Sequence, residues 1–422
     1  MRILVTGGAG FIGSHTVDAL LEKGYGVRIL DNLSKPVHLK GKPSYLSKAA
    51  EFMLGDVCNK SDWEKALVNV DAVYHLAAYQ DYLTDFSKFF QVNSVGTALL
   101  YEIIVEKKLE IQKVIVASSQ AVMGEGAYIC PQCCGQTGDE RLNEVLNKWQ
   151  NAQVSNREDG WLNEWMDNWM ENGLVAKIRQ SANYGVIQYP NIRLEEQLQS
   201  GDWEHHCPQC GNILMPISSD ENVIHPQNQY AMSKYTQEMI AQNLGRRYSI
   251  PTVCLRYSIV QGPRQSFYNA YSGACRIFSL NYFFDRTPVV YEDGGQIRDY
   301  VNIGDVVQAN LLVLEKATAD YQVFNVGGGK AYSVLEFAEV VRKEFDSDKR
   351  PRLPGEYRFG DTRHIFSDIS RLKNQGWMPK YPIEKSVHDY AQYLRDQTDI
   401  EDILEYMERQ MEKLGVVRKI QQ

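Results

Sequence analysis

Residues 1–32 read MRILVTGGAGFIGSHTVDALLEKGYGVRILDN, and the reading of this stretch decides the fold. Arg2 to Thr6 is a short apolar, β-branched run. It passes directly into Gly7, Gly8, Gly10 and Gly13, after which a helical pattern begins. The order is strand, glycine turn, helix. Gly8-x-Gly10-x-x-Gly13 lets a chain turn sharply, admit a pyrophosphate against its backbone and pack helix on strand. The helix N-terminus adds free N–H groups and the positive end of a dipole. A second apolar run, Gly26 to Leu30, ends in Asp31. A carboxylate at that distance accepts the ribose hydroxyls of a dinucleotide and repels a 2′-phosphate, which predicts NAD rather than NADP.

The whole chain supports a large core around this element: 422 residues, 44% hydrophobic, enough for more than one domain. A formal charge of -8 argues against a nucleic-acid or anionic-membrane partner. No apolar run approaches the roughly 20 residues of a membrane span, and no signal peptide precedes the first strand, so a cytoplasmic setting is expected. Eight cysteines without a secretory signal do not suggest a disulfide framework.

In order, the first half alternates strand and helix, the pattern of a parallel doubly wound sheet. Glu51–Leu54 is a strand leading to Asp56, which is positioned to reach the adenine. Ala72–Leu76 delivers His75-Leu76-Ala77-Ala78 to the ligand-binding edge of the sheet. No acid or nucleophile flanks His75, so it reads as a wall of the cofactor site rather than a catalyst. A helix is predicted from Asn93 to about Lys108. Lys113–Ala117 then brings Ser118, Ser119 and Gln120 to the same edge. Much later, Tyr230 and Lys234 share one helical face, and a neighbouring ammonium lowers the pKa of a phenol.

These residues resemble those of the extended short-chain dehydrogenase/reductases, specifically the NAD-dependent nucleotide-sugar epimerases and dehydratases. The resemblance rests on Gly7, Gly10, Gly13, Asp31, Asp56, His75 to Ala78, Asn93, Ser119, Tyr230 with Lys234, and Arg256-Tyr257. It implies Tyr230 as general base, Ser119 as its proton-sharing partner and Lys234 as holder of the nicotinamide ribose. It also implies cofactor contacts at Phe11, Ile12, Asn32, Val57, Leu76, Ala77, Ala78 and Asn93, and substrate contacts at Ser119, Gln120, Tyr257, Arg264, Tyr271, Arg298 and Arg363. Arg298 and Arg363 would bind the substrate diphosphate, since guanidinium matches phosphate through paired N–H donors. Salt bridges to Asp299 and Asp361 are the competing reading. The family's dehydratases place Asp-Glu after the hydroxyl residue, where this chain has Gln120 and Ala121. Neither exchanges a proton, so dehydration is disfavoured.

Two departures stand out. Arg256-Tyr-Ser-Ile-Val-Gln-Gly-Pro263 carries Ile259 where many relatives have Asn and Gln261 where they have Tyr, which bears on substrate identity. The second is an insertion of about residues 126–224 between Ser119 and Tyr230. Cys130-Pro-Gln-Cys133 and Cys207-Pro-Gln-Cys210 bound it, and four such thiolates close a structural Zn2+ site. Cys134, His205 and His206 are alternative ligands. Glu140 to Lys177 reads as helical, with Trp161, Trp165 and Trp169 in a stripe that suits a buried face or a docking surface. The knuckles also resemble a subgroup that includes the dTDP-L-rhamnose 4-epimerases.

The expected architecture is α/β: a Rossmann-type doubly wound parallel sheet, a smaller C-terminal substrate domain and a zinc-stapled insertion. Residues 1–125 and 225–262 form the dinucleotide-binding domain, 126–224 the inserted module, 263–398 mainly the substrate domain and 399–422 a helical tail. The expected activity is NAD-dependent 4-epimerisation of a nucleoside diphosphate sugar such as dTDP-L-rhamnose by a homodimer. The alternatives are a sugar-nucleotide oxidoreductase or dehydratase and a non-catalytic NAD-binding scaffold.

Overall fold

Continuous β-branched runs between amphipathic segments become buried parallel strands, because helices must shield both faces of such a sheet. A computed structural model describes residues 1–35, 37–81, 83–133, 187–268, 273–398 and 400–421. The strands in chain order are β1 (Arg2–Thr6), β2 (Gly26–Asp31), β3 (Glu51–Leu54), β4 (Ala72–His75), β5 (Lys113–Ser119), β6 (Ala127–Ile129), β7 (Ile187–Gln188) and β8 (Met215–Ile217). They continue with β9 (Thr252–Tyr257), β10 (Ile259–Gln261), β11 (Ile297–Asn302), β12 (Gln322–Val326), β13 (Ala331–Ser333), β14 (Glu356–Arg358) and β15 (Val417–Lys419). The longer helices are α1 (Phe11–Glu22), α2 (Gly96–Glu106), α3 (Gln229–Arg247), α4 (Ala274–Phe283), α5 (Ile303–Glu315), α6 (Val334–Glu344), α7 (Ile383–Arg395) and α8 (Leu404–Lys413).

The central sheet runs β12-β9-β5-β4-β1-β2-β3, and every pairing in it is parallel. Its direction of winding reverses between β4 and β1, which opens a crevice at the carboxyl ends of those strands. Val17, Leu20, Val306, Ala309 and Val313 of α1 and α5 cover one face. Leu100, Ile104 and Ala241 of α2 and α3 cover the other. A third core, with Phe278, Phe337, Val387 and Tyr390, joins α4, α6 and α7 beside the small β10-β11-β13 sheet. Among the described residues no helix is long and apolar enough to cross a membrane.

The helix predicted to open at Asn93 starts earlier. A helical turn at Phe86–Phe89 leads into a π-helical turn, Phe90–Val95, and only then into α2. The wider turn sets Asn93 where its side chain accepts from Tyr79 N and donates to Tyr79 O and Ser233 Oγ, at 2.8, 3.1 and 2.9 Å. Such bulges concentrate at functional sites.

The inserted module begins and ends at one point. Gly124 has φ +62°, and a Cβ there would stand 2.2 Å from His225 O. His225 N–H donates to Val122 O. The module's described part carries the antiparallel sheet β7-β6-β8. Cys134 and the expected tryptophan stripe, Trp161, Trp165 and Trp169, lie outside the described residues.

Candidate active site

The glycine turn is a backbone cradle. Gly7 has φ +66°, and a Cβ on it would come 2.8 Å from the backbone of Ala77. On Gly13 a Cβ would stand 2.1 Å from Gly7 O. The turn after β1, the start of α1 and the Leu76–Ala78 segment after β4 therefore touch backbone to backbone, leaving no room for side chains. Gly10 caps α1 without a side-chain hydrogen bond, and the first intrahelical bond is Ser14 N–H to Gly10 O. The amides of Phe11, Ile12 and Gly13 thus face the crevice end of the helix as anion donors.

Asp31 shapes the rim: its Oδ2 accepts from Ala9 N at 3.0 Å and its Oδ1 from Leu33 N at 2.9 Å. Asn32 donates to Asp56 at 3.0 Å, and Val57 is buried beside it. Burial pushes the Asp56 carboxyl up, but hydrogen bonds from Cys58 and Asn32 and the charge of Lys88 outweigh it and hold the group below its ordinary value. This set of residues fits a dinucleotide. A strap closes over it: Tyr45 donates to Ala9 O at 2.8 Å, and the Arg264 guanidinium stacks 4.8 Å from the Tyr45 ring centre. Arg264 also pairs with Asp18 of α1 at 2.7 Å. The structure therefore puts Arg264 at the cradle, whereas the sequence suggested a substrate contact.

Ser119 ends β5 and caps a short 3-10 turn, accepting from Ala121 N at 3.2 Å. Tyr230 lies in the first turn of α3, whose cap is Asn228, accepting from Ala231 N at 2.9 Å. Ser119 is close enough to the Tyr230 phenol to lower its pKa. Lys234, one turn on, donates to Ala117 O and, at 2.5 Å, to Gln237 Oε1. Ser119, Tyr230 and Lys234 are thus gathered at the carboxyl edge of β5.

Their electrostatics differ from the expectation that Lys234 lowers the phenol. Burial pushes Tyr230 up to about 12, opposed only by Ser119. Burial likewise pulls Lys234 down to about 7, against the raising effect of Glu238 and Cys254. The ammonium is spent on Ala117 O and Gln237 rather than on the phenol. His75 is buried between Thr6 Oγ1 and Thr97 Oγ1, at 2.8 and 3.0 Å. Burial, then the charge of Lys234, lowers it to about 3, so it is a neutral structural link.

Gln120, next to Ser119, is 8% exposed and its Oε1 has no partner among the described residues. Tyr257 departs from its expected substrate role. It donates to Asn310 Oδ1 of α5 at 2.7 Å, on the face opposite α3. Arg256 forms a two-pronged pair with Glu238 of α3, both bonds 2.8 Å, and donates to Glu221 O and Val223 O of the returning insertion. Arg298 is half-buried and anchored on Ile297 O, Arg363 O and Thr362 O. Arg363 is fully buried and engages Glu204, Glu292 and Asp293, not the expected neighbour Asp361, which pairs with Arg358. Tyr271 lies outside the described residues.

The two knuckles converge. The four Sγ atoms of Cys130, Cys133, Cys207 and Cys210 lie within 4.8 Å of one another, with Cys130–Cys210 at 3.4 Å and Cys133–Cys207 at 3.7 Å. A tetrahedron with metal–sulfur bonds of about 2.3 Å has edges of about 3.8 Å, so the donor set fits a closed thiolate site. Gln188 Nε2 and Cys133 N–H donate to Cys207 and Cys130 sulfur, as suits thiolates. His205 and His206, named as alternative ligands, are engaged elsewhere, on Glu125 and Asp202.

Known proteins share this plan. The family model described as the NAD dependent epimerase/dehydratase family matches residues 3–143 and 209–327. A dTDP-L-rhamnose 4-epimerase of Burkholderia thailandensis is 28% identical over 94% of this chain and 96% of its own. The structure of UDP-glucose 4-epimerase from Thermotoga maritima with UDP-glucose is 27% identical, with TM-score 0.67 over 94% of this chain and 99% of that one. UDP-N-acetylglucosamine 4-epimerase from Methanobrevibacter ruminantium, in complex with UDP-N-acetylmuramic acid, is 25% identical, with TM-score 0.66 over the same shares. With the glycine cradle, Ser119, Tyr230 and Lys234 all in the matched segments, the chain belongs to the NAD-dependent epimerase/dehydratase family.

Proposed function

We propose that this protein is a nucleoside-diphosphate-sugar 4-epimerase that retains its NAD, with dTDP-L-rhamnose or a similar nucleotide sugar as substrate. The observation that carries the reading is the gathering of Ser119, Tyr230 and Lys234 at the carboxyl edge of β5, followed by Gln120 and Ala121 instead of an acid and a base. Tyr230 takes the proton from the sugar O4, and Ser119 shares it. Bound NAD supplies the reversible hydride acceptor. The Phe11, Ile12 and Gly13 amides would hold its pyrophosphate, Asp31 its adenosine ribose and Lys234 its nicotinamide ribose. Gln120 and Ala121 offer no second acid-base pair, so the 4-keto sugar is turned and reduced rather than dehydrated. The Tyr45–Arg264 strap fits a cofactor that is kept between turnovers.

Zn2+ on Cys130, Cys133, Cys207 and Cys210 would be structural, since four protein thiolates leave no open position. A homodimer through α2 and α3 accords with the exposed Met232 and Met239 of α3.

The test is NMR in D2O of protein purified without added cofactor, given dTDP-L-rhamnose, UDP-glucose and UDP-glucuronate in turn. A C4 epimer without deuterium at carbon is expected for one of them. NADH accumulation only after NAD is added would instead favour the oxidoreductase. Tyr230→Phe should lower kcat by about 10²–10⁴-fold with bound NAD retained, as removal of a general base does. An unchanged rate would remove Tyr230 as the base, and function in vivo that survives Tyr230→Phe would support the scaffold reading. Metal analysis should find one Zn2+ per chain, and a zinc-free preparation of full stability would remove that part of the reading.

A further inference from the structure

The inserted module meets the substrate side of the fold through a buried cluster of charges. Arg363 Nη1 donates to Glu292 at 2.9 Å and Asp293 at 2.7 Å, and Nη2 to Glu204 at 2.6 Å and Asp293 at 2.9 Å. Both ends of the guanidinium fork are therefore occupied by carboxylates, and the side chain is fully buried. Burial lowers the Arg363 pKa, but the charges of Glu204, Asp293 and Glu292 outweigh it and hold the group well above its ordinary value. Arg193 of the module pairs with both oxygens of the same Glu292, at 2.9 and 2.8 Å, and reaches Asp361 O at 2.8 Å.

The cluster also reaches the segment that follows β5. Glu125, a few residues after Ser119, accepts from His205 of the module at 2.9 Å and from Arg363 N–H at 2.7 Å. His364 bonds Glu204 at 2.9 Å, and its Nδ1 accepts from Ile297 N–H at 3.1 Å. Arg298, the next residue of β11, hangs from this backbone: Nη1 donates to Arg363 O at 2.9 Å and Nη2 to Thr362 O at 2.5 Å. Whatever fixes Arg363 fixes the two carbonyls that aim Arg298.

We propose that Arg363 is a positioning residue, not a diphosphate ligand: Glu204 of the inserted module clamps it, and its carbonyl aims Arg298, which meets the substrate diphosphate. A guanidinium that already serves three carboxylates has no donor pair left for a phosphate, and freeing it would strand those carboxylates in a buried site. Arg298 has no carboxylate partner among the described residues, and its three bonds to neutral carbonyls use Nη1 and one proton of Nη2, which leaves Nε–H and the other Nη2–H as a donor pair for an anion. The insertion is thereby part of substrate recognition although none of its described residues needs to touch the sugar. This inference rests on the nucleotide-sugar reading above.

Glu204→Gln separates the alternatives because they predict opposite signs, and it leaves Arg363 paired with Glu292 and Asp293, so the fold is spared. Binding of UDP and dTDP to the NAD-containing protein is followed by calorimetry, with NAD content measured alongside. If Arg363 aims Arg298, Glu204→Gln weakens nucleoside diphosphate binding by about threefold to tenfold, a usual coupling between contacting groups. NAD content stays unchanged, KM rises and kcat holds. In an Arg298→Gln background the same change then has no further effect. Should Arg363 itself bind the diphosphate, Glu204→Gln would leave affinity unchanged or tighten it, and the two variants would add; either result overturns the proposal. Failure of the wild type to bind both UDP and dTDP would overturn the nucleotide-sugar reading and this inference with it.

Discussion

The dinucleotide cradle and the junction of the inserted module are both buried, yet they are built from different parts of the chain. The cradle is backbone against backbone: Gly7 meets Ala77 and Gly13 meets Gly7. The junction is side chain against side chain: Arg193, Arg363, Glu125, Glu204, Glu292, His205 and His364 from four separate segments. A backbone site tolerates almost no added atom, whereas a charge cluster tolerates atoms but no unpaired member. The two regions should therefore fail in different ways.

The largest effect is expected at the junction. Arg193→Met removes a buried guanidinium from its two-pronged pair with Glu292, which then keeps, among the described residues, only its bond from Arg363, and should cost about 3 kcal/mol, the low end of the penalty for breaking a buried pair. Urea unfolding measures it, and bound NAD per folded chain should stay at the wild-type value. Loss of NAD in proportion to stability would show that the cradle depends on the junction.

Next comes Gly13→Ala, whose Cβ would stand 2.1 Å from Gly7 O. The start of α1 must shift, at about 1–3 kcal/mol for an overpacked site. Here NAD content should fall sharply while the module keeps its urea stability. If the variant holds NAD normally, the backbone contact is not what forms the pyrophosphate site.

This contrast explains what could be read in the sequence. Glycines at fixed spacing, Asp31 after the second strand and the Tyr230–Lys234 face are local patterns, so the sheet, the glycine turn and the meeting of Tyr230 and Lys234 with the end of β5 were legible. The cysteine knuckles are local pairs, and the structure brings the four sulfurs together. Arg363 next to Asp361 reads as a phosphate arginine or a neighbour salt bridge, and the structure pairs it with Glu204, Glu292 and Asp293 instead of Asp361. Its partners, Glu204, Glu292 and Asp293, come mostly from distant segments, and no spacing rule links them. Tyr257 on Asn310 and Arg264 on Asp18 and Tyr45 were not foreseen for a related reason: a motif gives the position of a residue but not the face it presents. Tyr45 carried no signal at all, sitting in the long loop between β2 and β3.

Tyr45 gives a smaller test of the cradle, from a side chain laid across a backbone site. Tyr45→Ala removes a hydrogen bond to Ala9 O and the stacking partner of Arg264. NAD should dissociate about tenfold faster, the effect of losing one cation–π contact and one hydrogen bond. Dilution into excess labelled NAD measures the rate. An unchanged rate would mean that the glycine turn alone retains the cofactor.

The smallest effect concerns His75, a side-chain link set inside the backbone-built half. Its ring spans Thr6 of β1 and Thr97 of α2, and it packs edge-on against Trp63 at 5.4 Å. Burial, then Lys234, holds its folded pKa at about 3, below the ordinary histidine value. Between those values the unfolded chain binds a proton that the folded chain refuses. The stability tied to the neutral ring is complete above about pH 6.5 and is lost progressively as the pH falls towards 3. Carboxylates of the junction lose stability in the same acid range, since Glu125 and Glu204 are also held low. The difference between wild type and His75→Gln isolates the histidine. Above pH 7 the two stability curves should run parallel. Below it the wild-type curve should be steeper by at most about 1.4 kcal/mol per pH unit, the slope of one proton. Equal slopes would mean that the ring takes up its proton within the fold, which needs β1, β4 and α2 to part there. The cradle would then yield to acid at a side chain, as the junction does.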